Sequence, residues 1–293
     1  MKTTVVGVSD TPVERLRAVP AKKRRPQEAD IGITVRRLGQ TYDQSMPLYW
    51  LGNNAFLSML FTGFSATLPE GEAQFIHSVR LFQDKVTDPL LRAQIRAFIG
   101  QEGHHSREHE ALNNAFIQRG LRLDKIEKQI RGMNAWMQKH YSAEKQLAFT
   151  VCGEHLTALL SVLLLDKDPW FMQNMDEPLR TTWVWHAIEE TEHKAVAFDV
   201  YDQLVGDRKL LKSCMVQLTF LFSILSTYHA LTLLPRKEWL NFKMWRESFT
   251  FLRRMVKLLR EDYMDFYKPD YHPWQHDDGP AVERAKQQYV AAG

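Results

Sequence analysis

The sequence predicts an all-α fold, and three observations predict it. Apolar residues recur at spacings of three and four along four long segments, which is the periodicity of an amphipathic helix. Capping residues and prolines mark where these segments begin, and glycines or prolines mark where most of them end. The first two segments are separated by a few residues, as are the last two, so each pair is predicted to be an antiparallel hairpin.

The first hairpin is predicted from Pro69 to Gly120. Its first helix begins at Pro69, because proline suits the first turn of a helix. Its second helix begins at Asp88-Pro89, where an N-capping residue precedes a proline, and continues to Gly120.

The second hairpin is predicted from Ser142 to Gly206. Its first helix begins after Ser142 and ends near 166–169, and its second runs from Asp176 to Gly206. The stretch 120–142 between the hairpins is long enough for a crossover and has a helical pattern of its own. Two hairpins joined by one long crossover are the ferritin-like arrangement of a four-helix bundle.

The rest of the chain divides around this bundle. Two additional C-terminal helices are predicted at 208–234 and 237–262, separated by Pro235. We therefore expect three parts: a mostly flexible N-terminal extension at 1–40, a single helical domain at 41–267, and an irregular C-terminal tail at 268–293 that is rich in Pro, Asp and His.

Composition excludes several classes of function. The chain has 293 residues, of which 44% are hydrophobic, so it is long enough for a sizeable core. Its 38 basic and 35 acidic residues nearly balance, which argues against nucleic acid as a partner. Cys152 and Cys214 are too few for a disulfide framework or a cysteine-based zinc site. With no secretory pattern visible, a cytoplasmic protein is expected.

Ionisable residues interrupt the apolar faces of all four predicted bundle helices. They are Glu72 in the first helix, Glu102 and His105 in the second, Glu154 in the third, and His186, Glu190 and His193 in the fourth. A lone carboxylate in a core costs several kcal/mol unless it is paired or bound to a cation. Because all four helices share this anomaly, we predict one common cation site.

The spacing of these residues matches a known kind of metal site. Glu102–His105 and Glu190–His193 are each Glu-x-x-His, which places a carboxylate and an imidazole on one helix face. With Glu72 and Glu154, the order of a Glu followed by a Glu-x-x-His occurs twice, as in dinuclear carboxylate bundles. This donor set suits iron or manganese better than structural zinc. We expect two iron ions, with Fe/Mn or Mn as alternatives, about 3–4 Å apart.

Three further residues extend the predicted site. His186 lies four residues before Glu190 and is predicted as a seventh ligand, an arrangement that resembles the di-iron arylamine N-oxygenases. His109 lies one turn beyond His105 and is either a ligand or, as we favour, a residue that supports the ligands. Glu189 is expected to orient a histidine of the opposite hairpin.

Four longer motifs resemble a bacterial family labelled "predicted metal-dependent hydrolase". The motifs are LPEGEAQFIHSVR at 68–80, AFIGQEGHHSREH at 97–109, CGEHLTA at 152–158 and WHAIEETEHKAVAFDVY at 185–201. The similarity extends from about Ile33 to about Pro269. The resemblance implies a metal, and the family label implies hydrolysis.

Three functions are consistent with this site. The favoured one is an enzyme that activates O2 with electrons from an external donor and oxidises a small, apolar organic substrate. The alternatives are a two-metal hydrolase and a non-catalytic ferritin-like metal-binding protein. The additional helices and an aromatic-rich stretch before Pro69 favour an enzyme with a built pocket, and no anion-binding loop or Gly-x-Gly-x-x-Gly fingerprint occurs.

The apolar stretch 214–234 leaves two interpretations open. It is about long enough to span a bilayer, but Gln217 and His229 interrupt it. A core or interfacial helix is favoured, and peripheral membrane contact is the alternative. Whether the protein forms a homodimer is also left open.

Overall fold

A computed structural model describes residues 32–289, and within this range the protein is all-α with no strand. The predicted all-α helical bundle is therefore confirmed. The helices are α1 (Ala55–Ser65), α2 (Leu68–Gln83), α3 (Pro89–Gln118), α4 (Leu123–His140), α5 (Ala143–Val162), α6 (Pro169–Gln173), α7 (Leu179–His193), α8 (Val196–Leu204), α9 (Arg208–Leu233), α10 (Phe242–Asp265) and α11 (Gly279–Tyr289).

The bundle consists of α2, α3, α5 and the α7–α8 segment, which pack against one another. Local signals start these helices where the sequence predicts. Pro69 lies in the first turn of α2, Asp88 accepts a hydrogen bond from the amide of Leu90 at the start of α3, and Ser142 accepts one from the amide of Lys145 at the start of α5. Helix α4 is the predicted crossover between the two hairpins.

The fourth predicted helix is interrupted. Helix α7 ends at His193 and α8 begins at Val196, so the two residues between them break a segment that the sequence predicts as continuous. The buried side chain of Lys194 in this break donates to the carbonyl of His276 and pairs with Asp278. The interruption thus coincides with an attachment to the C-terminal part of the chain.

Helix α1 was not predicted, because it lacks the pattern that marks a surface helix. Asn54 caps it by accepting a hydrogen bond from the amide of Leu57. Ten of its eleven residues are buried, and it packs on α9. A helix covered on nearly all sides shows no alternation of apolar and polar faces.

Residues 32–40 lie against the bundle without regular secondary structure. The amides of Gly39 and Gln40 donate to the carboxylate of Glu108 on α3, at 3.2 and 3.0 Å. The structure therefore differs from the predicted boundary at residue 41, because carboxylates on the bundle hold this segment. The remainder of the predicted flexible extension, 1–31, lies outside the described residues.

The C-terminal part differs from the predicted irregular tail. A short 3-10 turn at Pro273–Gln275 is followed by α11, which packs on α7. Ala281, Val282 and Ala285 form the buried face of α11 and explain why this stretch is helical. The prediction is thus wrong for 279–289, and residues 290–293 lie outside the described range.

Within residues 32–289, two helical stretches are long and apolar enough to cross a membrane, judged by length and composition alone. One is Ala143–Lys167, which comprises α5 and a π-helical turn, and most of it is buried inside the protein. The other is α9, most of which is exposed.

Candidate metal centre

The seven predicted ligands lie together in the centre of the bundle. Each is at most 3% exposed, although all are ionisable. Helix α2 contributes Glu72, α3 contributes Glu102 and His105, α5 contributes Glu154, and α7 contributes His186, Glu190 and His193. The helical spacing places the residues of each helix on one inward face, and the packing of the four helices brings these faces together.

The cluster contains two groups of potential ligands. Glu72, His105 and His186 each offer an atom within 4.8 Å of the other two, and so do Glu102, Glu190 and His193. Glu190 also approaches the first group, since its Oε1 atom is 3.2 Å from Nε2 of His186. It therefore lies between the two groups.

Glu154 completes the cluster beside the second group. Its Oε2 atom lies 3.4 Å from Nε2 of His193. That same nitrogen is 3.0 Å from Oε1 of Glu102 and 3.6 Å from Oε1 of Glu190. Carboxylates from three different helices thus converge on one imidazole.

Many atoms of this cluster have no aligned hydrogen bond. Both oxygens of Glu102 and Glu154, both ring nitrogens of His105 and Nε2 of His193 are buried without one, even where a group of opposite charge lies 3.0–3.6 Å away. Leaving buried carboxylate oxygens without partners is costly unless a cation binds them. The residues therefore fit a divalent metal.

Burial and mutual contact shift the pKa values of the cluster. Burial raises the pKa of Glu72, Glu102 and Glu154. Burial acts the same way on Glu190, but the surrounding imidazoles hold its pKa well below the ordinary value. Burial would lower the pKa of His105, yet the nearby carboxylates raise it to about 10. Without a metal the cluster therefore retains protons, which a bound cation would displace.

A hydrogen-bonded chain fixes the orientation of His186. The side-chain amide nitrogen of Asn113 donates to the carbonyl of Ser65, which fixes how the Asn113 amide is turned. Oδ1 of Asn113 therefore accepts a hydrogen bond from the Ser65 hydroxyl, at 2.8 Å. Nδ1 of His109 lies 2.9 Å from that hydroxyl oxygen and must donate to it. Nε2 of His109 then accepts from Nδ1 of His186, at 3.1 Å. Nε2 of His186 is left with its lone pair facing the carboxylate cluster.

Glu189 lies in the position that the sequence predicts for a residue that orients a histidine. Its Oε2 atom is 3.2 Å from Nε2 of His105, which belongs to the opposite hairpin. Its other oxygen accepts a hydrogen bond from the backbone amide of Arg36, at 2.9 Å. Nδ1 of His105 is directed instead toward Glu190, at 3.5 Å.

A second series of hydrogen bonds, which supports His193, was not predicted from the sequence. Nδ1 of His193 donates to Oε1 of Gln101 at 2.9 Å, and the Gln101 amide nitrogen donates to Glu192 at 2.8 Å. The guanidinium of Arg36 binds both oxygens of Glu192, at 2.8 and 2.9 Å, and Lys286 on α11 contacts it at 3.0 Å. Outer contacts of this kind orient metal-ligating histidines.

A sequence signal existed for part of this series of hydrogen bonds. Gln101 and Glu192 each directly precede a predicted ligand, as Glu189 does. Arg36 carried no signal, because it lies in the segment predicted to be mostly flexible.

Glu72 is also held from outside the cluster: the hydroxyl of Ser106 donates to its Oε2 atom at 2.8 Å.

A cavity of about 520 Å³ lies beside the cluster, with walls from α2, α4, α5 and α9. Most of its lining is apolar, as with Phe75, Met137, Leu156 and Leu225, and Glu72 contributes to its wall. Within the described part of the chain, no lysine or arginine lines this cavity. Its size is typical of sites for small molecules.

An all-α bundle with four glutamates and three histidines gathered in its core defines a metal-binding helical protein. The family model described as "predicted metal-dependent hydrolase" matches residues 34–277, so the chain belongs to this family. The family resemblance predicted from the motifs is confirmed, and the family description together with the two ligand groups supports a metal cofactor and an enzymatic function. No curated protein and no solved structure matches the chain.

Proposed function

We propose that this protein is an enzyme with a dinuclear iron centre, or a mixed Fe/Mn or Mn centre, that uses O2 to oxidise an apolar organic substrate. The observation that carries the proposal is the buried cluster of four glutamates and three histidines, most of whose ligand atoms lack hydrogen bonds. Two groups of ligands, with Glu190 between them, support two ions rather than one. The donor set is the one that carboxylate-bridged bundles use for iron and manganese.

The protein's own residues would prepare this centre. Glu189 supports His105, Gln101 supports His193 and His109 supports His186. Each contact leaves the other ring nitrogen directed toward the cluster, so the three imidazoles are oriented before a metal arrives. When bound, two redox-active ions would supply the electrons and the binding position that O2 requires.

The adjacent cavity supports an apolar substrate. Its surface is mainly apolar on the side of the cluster where Glu72 lies. An uncharged, mainly apolar molecule would lose little solvation on entering, whereas an anionic one would find no lysine or arginine among the described lining residues.

A two-metal hydrolase is the second candidate, because the family description favours it. The same residues would hold two ions, and a water bound to them would ionise near neutral pH. The cavity argues against phosphate or carboxylate substrates, for which a lysine or arginine is usual. A neutral ester would still fit.

Metal analysis and oxygen uptake test the proposal together. Protein loaded anaerobically with Fe(II) should hold two ions per chain, and with ascorbate it should consume O2 faster than free Fe(II) does. The Glu102→Ala variant should lose both properties, whereas Glu110→Ala, an exposed glutamate on the same helix, should keep them. Neutral ester cleavage under nitrogen at the same rate as in air, with no O2 uptake, would instead support the hydrolase.

A further inference from the structure

Exposed apolar side chains are concentrated on α9, on α10 and in the loop between them. We call this surface the α9–α10 face. Its exposed apolar residues are Val216, Phe220, Ile224, Tyr228, Trp239, Leu240, Phe242, Phe249 and Val256. Leu240 and Phe242 are 80% and 81% exposed. Soluble surfaces rarely gather so many large apolar residues unless something covers them.

The part of this face on α9 is a continuous stripe. Val216, Phe220, Ile224 and Tyr228 are spaced four residues apart and therefore lie along one side of the helix. With Tyr263 of α10 they line a shallow groove, and the hydroxyls of Thr219 and Tyr263 meet at 3.0 Å within it. The opposite side of α9 packs on α1 and α5.

Charge is distributed around this face in a specific way. Between Ser213 and Pro235 the chain has no Asp, Glu, Lys or Arg. The next stretch, 236–260, has eight basic residues and two acidic ones. Lys237, Lys243 and Arg246 are exposed beside Leu240 and Phe242 in the chain. An apolar surface bordered by basic and aromatic residues is typical of proteins that lie on anionic membranes.

We propose that the α9–α10 face docks on the surface of an anionic lipid membrane. The apolar side chains would enter the headgroup region, and the basic residues would contact lipid phosphates. A second copy of the chain is a poorer occupant, because two strongly basic stretches would then face each other. Crossing of the bilayer by α9 is disfavoured as well, since its inner side packs on the bundle.

The same helix separates the face from the cavity. Phe222, Leu225 and Ser226 of α9 line the cavity, while Phe220 and Ile224 belong to the exposed stripe. A docked protein could therefore take an apolar substrate from the bilayer. This last step rests on the proposed function, whereas docking itself does not.

Flotation with lipid vesicles tests the docking. Full-length protein should float with vesicles of phosphatidylcholine and phosphatidylglycerol, and much less with phosphatidylcholine alone. Affinity should fall as salt is added. The Lys243→Ala/Arg246→Ala variant should bind roughly thirty-fold more weakly, because each of the two basic residues contributes about 1 kcal/mol near the surface and each 1.4 kcal/mol is tenfold in affinity. Leu240→Ser/Phe242→Ser should lose binding to a similar degree.

The control removes the same chemistry from another surface. Leu90→Ser/Arg96→Ala changes an exposed apolar and an exposed basic residue of α3 and should bind as the wild type does. This comparison is needed because a second basic run, Lys22–Arg25, is present in every variant. The proposal is overturned if the face variants bind as the control does. It is also overturned if the wild type is a stable dimer that the Leu240→Ser/Phe242→Ser change dissociates. Vesicle binding needs no metal, so its failure would leave the proposed function standing.

Discussion

His109 and His186 are joined by a hydrogen bond between Nε2 of the first and Nδ1 of the second, 3.1 Å apart. Nε2 of His109 is the acceptor in this bond, because Nδ1 of His109 must donate to the hydroxyl of Ser65. Burial also lowers the pKa of His109 well below its usual value, which agrees with a neutral ring. His109 therefore sets the tautomer of His186 and presents the Nε2 lone pair of His186 to the cluster.

Replacing His109 should loosen His186 without removing a ligand. His109→Ala leaves Nδ1 of His186 without a buried partner, so the free energy of unfolding should fall by about 1–3 kcal/mol and metal affinity by roughly 10–100-fold. Denaturant titration of metal-free protein and metal titration measure the two effects. His109→Gln can still accept from His186 and should retain part of both. Equal losses in the two variants would contradict the assigned role.

Replacing His186 itself should alter reactivity more than metal content. In His186→Ala, six proposed ligands remain, and four carboxylates with two histidines suffice for dinuclear bundles. We expect two ions per chain as before, but a changed rate of O2 consumption, since one ion would lose a neutral nitrogen donor. Metal analysis and an oxygen electrode check this. Loss of one ion per chain would show that His186 is indispensable for binding instead.

Arg36 should influence metal affinity although it lies outside the cluster. Its side chain binds Glu192 and its backbone amide donates to Glu189. Arg36 therefore holds the carboxylate that contacts His105 and the carboxylate that accepts from Gln101. Arg36→Ala should weaken metal binding roughly ten-fold, which is the low end of the loss expected when a partner of the metal ligands is removed. The loss is small because the backbone amide of residue 36 still donates to Glu189. Arg37→Ala, a change at the exposed neighbouring residue, serves as the control. Metal titration showing the same affinity for both variants would refute this support role.

Removing the metal should make stability depend on pH in a defined direction. The carboxylates hold the pKa of His105 near 10 in the folded protein, above the ordinary 6.5. A raised folded-state pKa contributes stability that is complete below pH 6.5 and lost as pH rises toward 10. Burial also raises the pKa of Glu72 and Glu154. These two groups likewise contribute stability that is lost as pH rises above 4.5.

The measurement is the melting temperature of metal-free and Fe(II)-loaded or Mn(II)-loaded protein between pH 6.5 and 9. The loaded form should melt higher throughout, as ligand linkage requires. The gap should widen as pH rises, because the metal-free cluster loses the protons that stabilise it. A gap that stays constant or closes with pH would argue against a cluster that exchanges protons for metal.

Filling the cavity should block apolar ligands and spare the metal. Leu225→Trp places a larger side chain on the cavity wall, and Val256→Trp makes the comparable change on the exposed face of α10. The neutral probe N-phenyl-1-naphthylamine should bind the wild type and Val256→Trp, and Leu225→Trp should bind it several-fold more weakly. Metal content should be equal in all three. If Leu225→Trp binds the probe normally, the cavity is not its site.

Patterns local in the chain were enough to predict the bundle helices. Caps and prolines act within a few residues, as Asp88 and Ser142 do at the starts of α3 and α5. The spacing of Glu102 and His105 likewise places both on one helix face whatever surrounds them. For the same reason, the seven residues that lie together in the core were identifiable before any packing was known.

The sequence by itself determined where the bundle helices begin and which of their polar residues face inward, because both follow from caps and from periodicity over one or two turns. Only the tertiary structure decided that α1 is a helix, that α7 stops at His193, and that a cavity lies between α4 and α9. It also decided that Arg36 reaches Glu192 across the chain. These features depend on contacts between residues far apart in the chain, and no local pattern encodes such contacts.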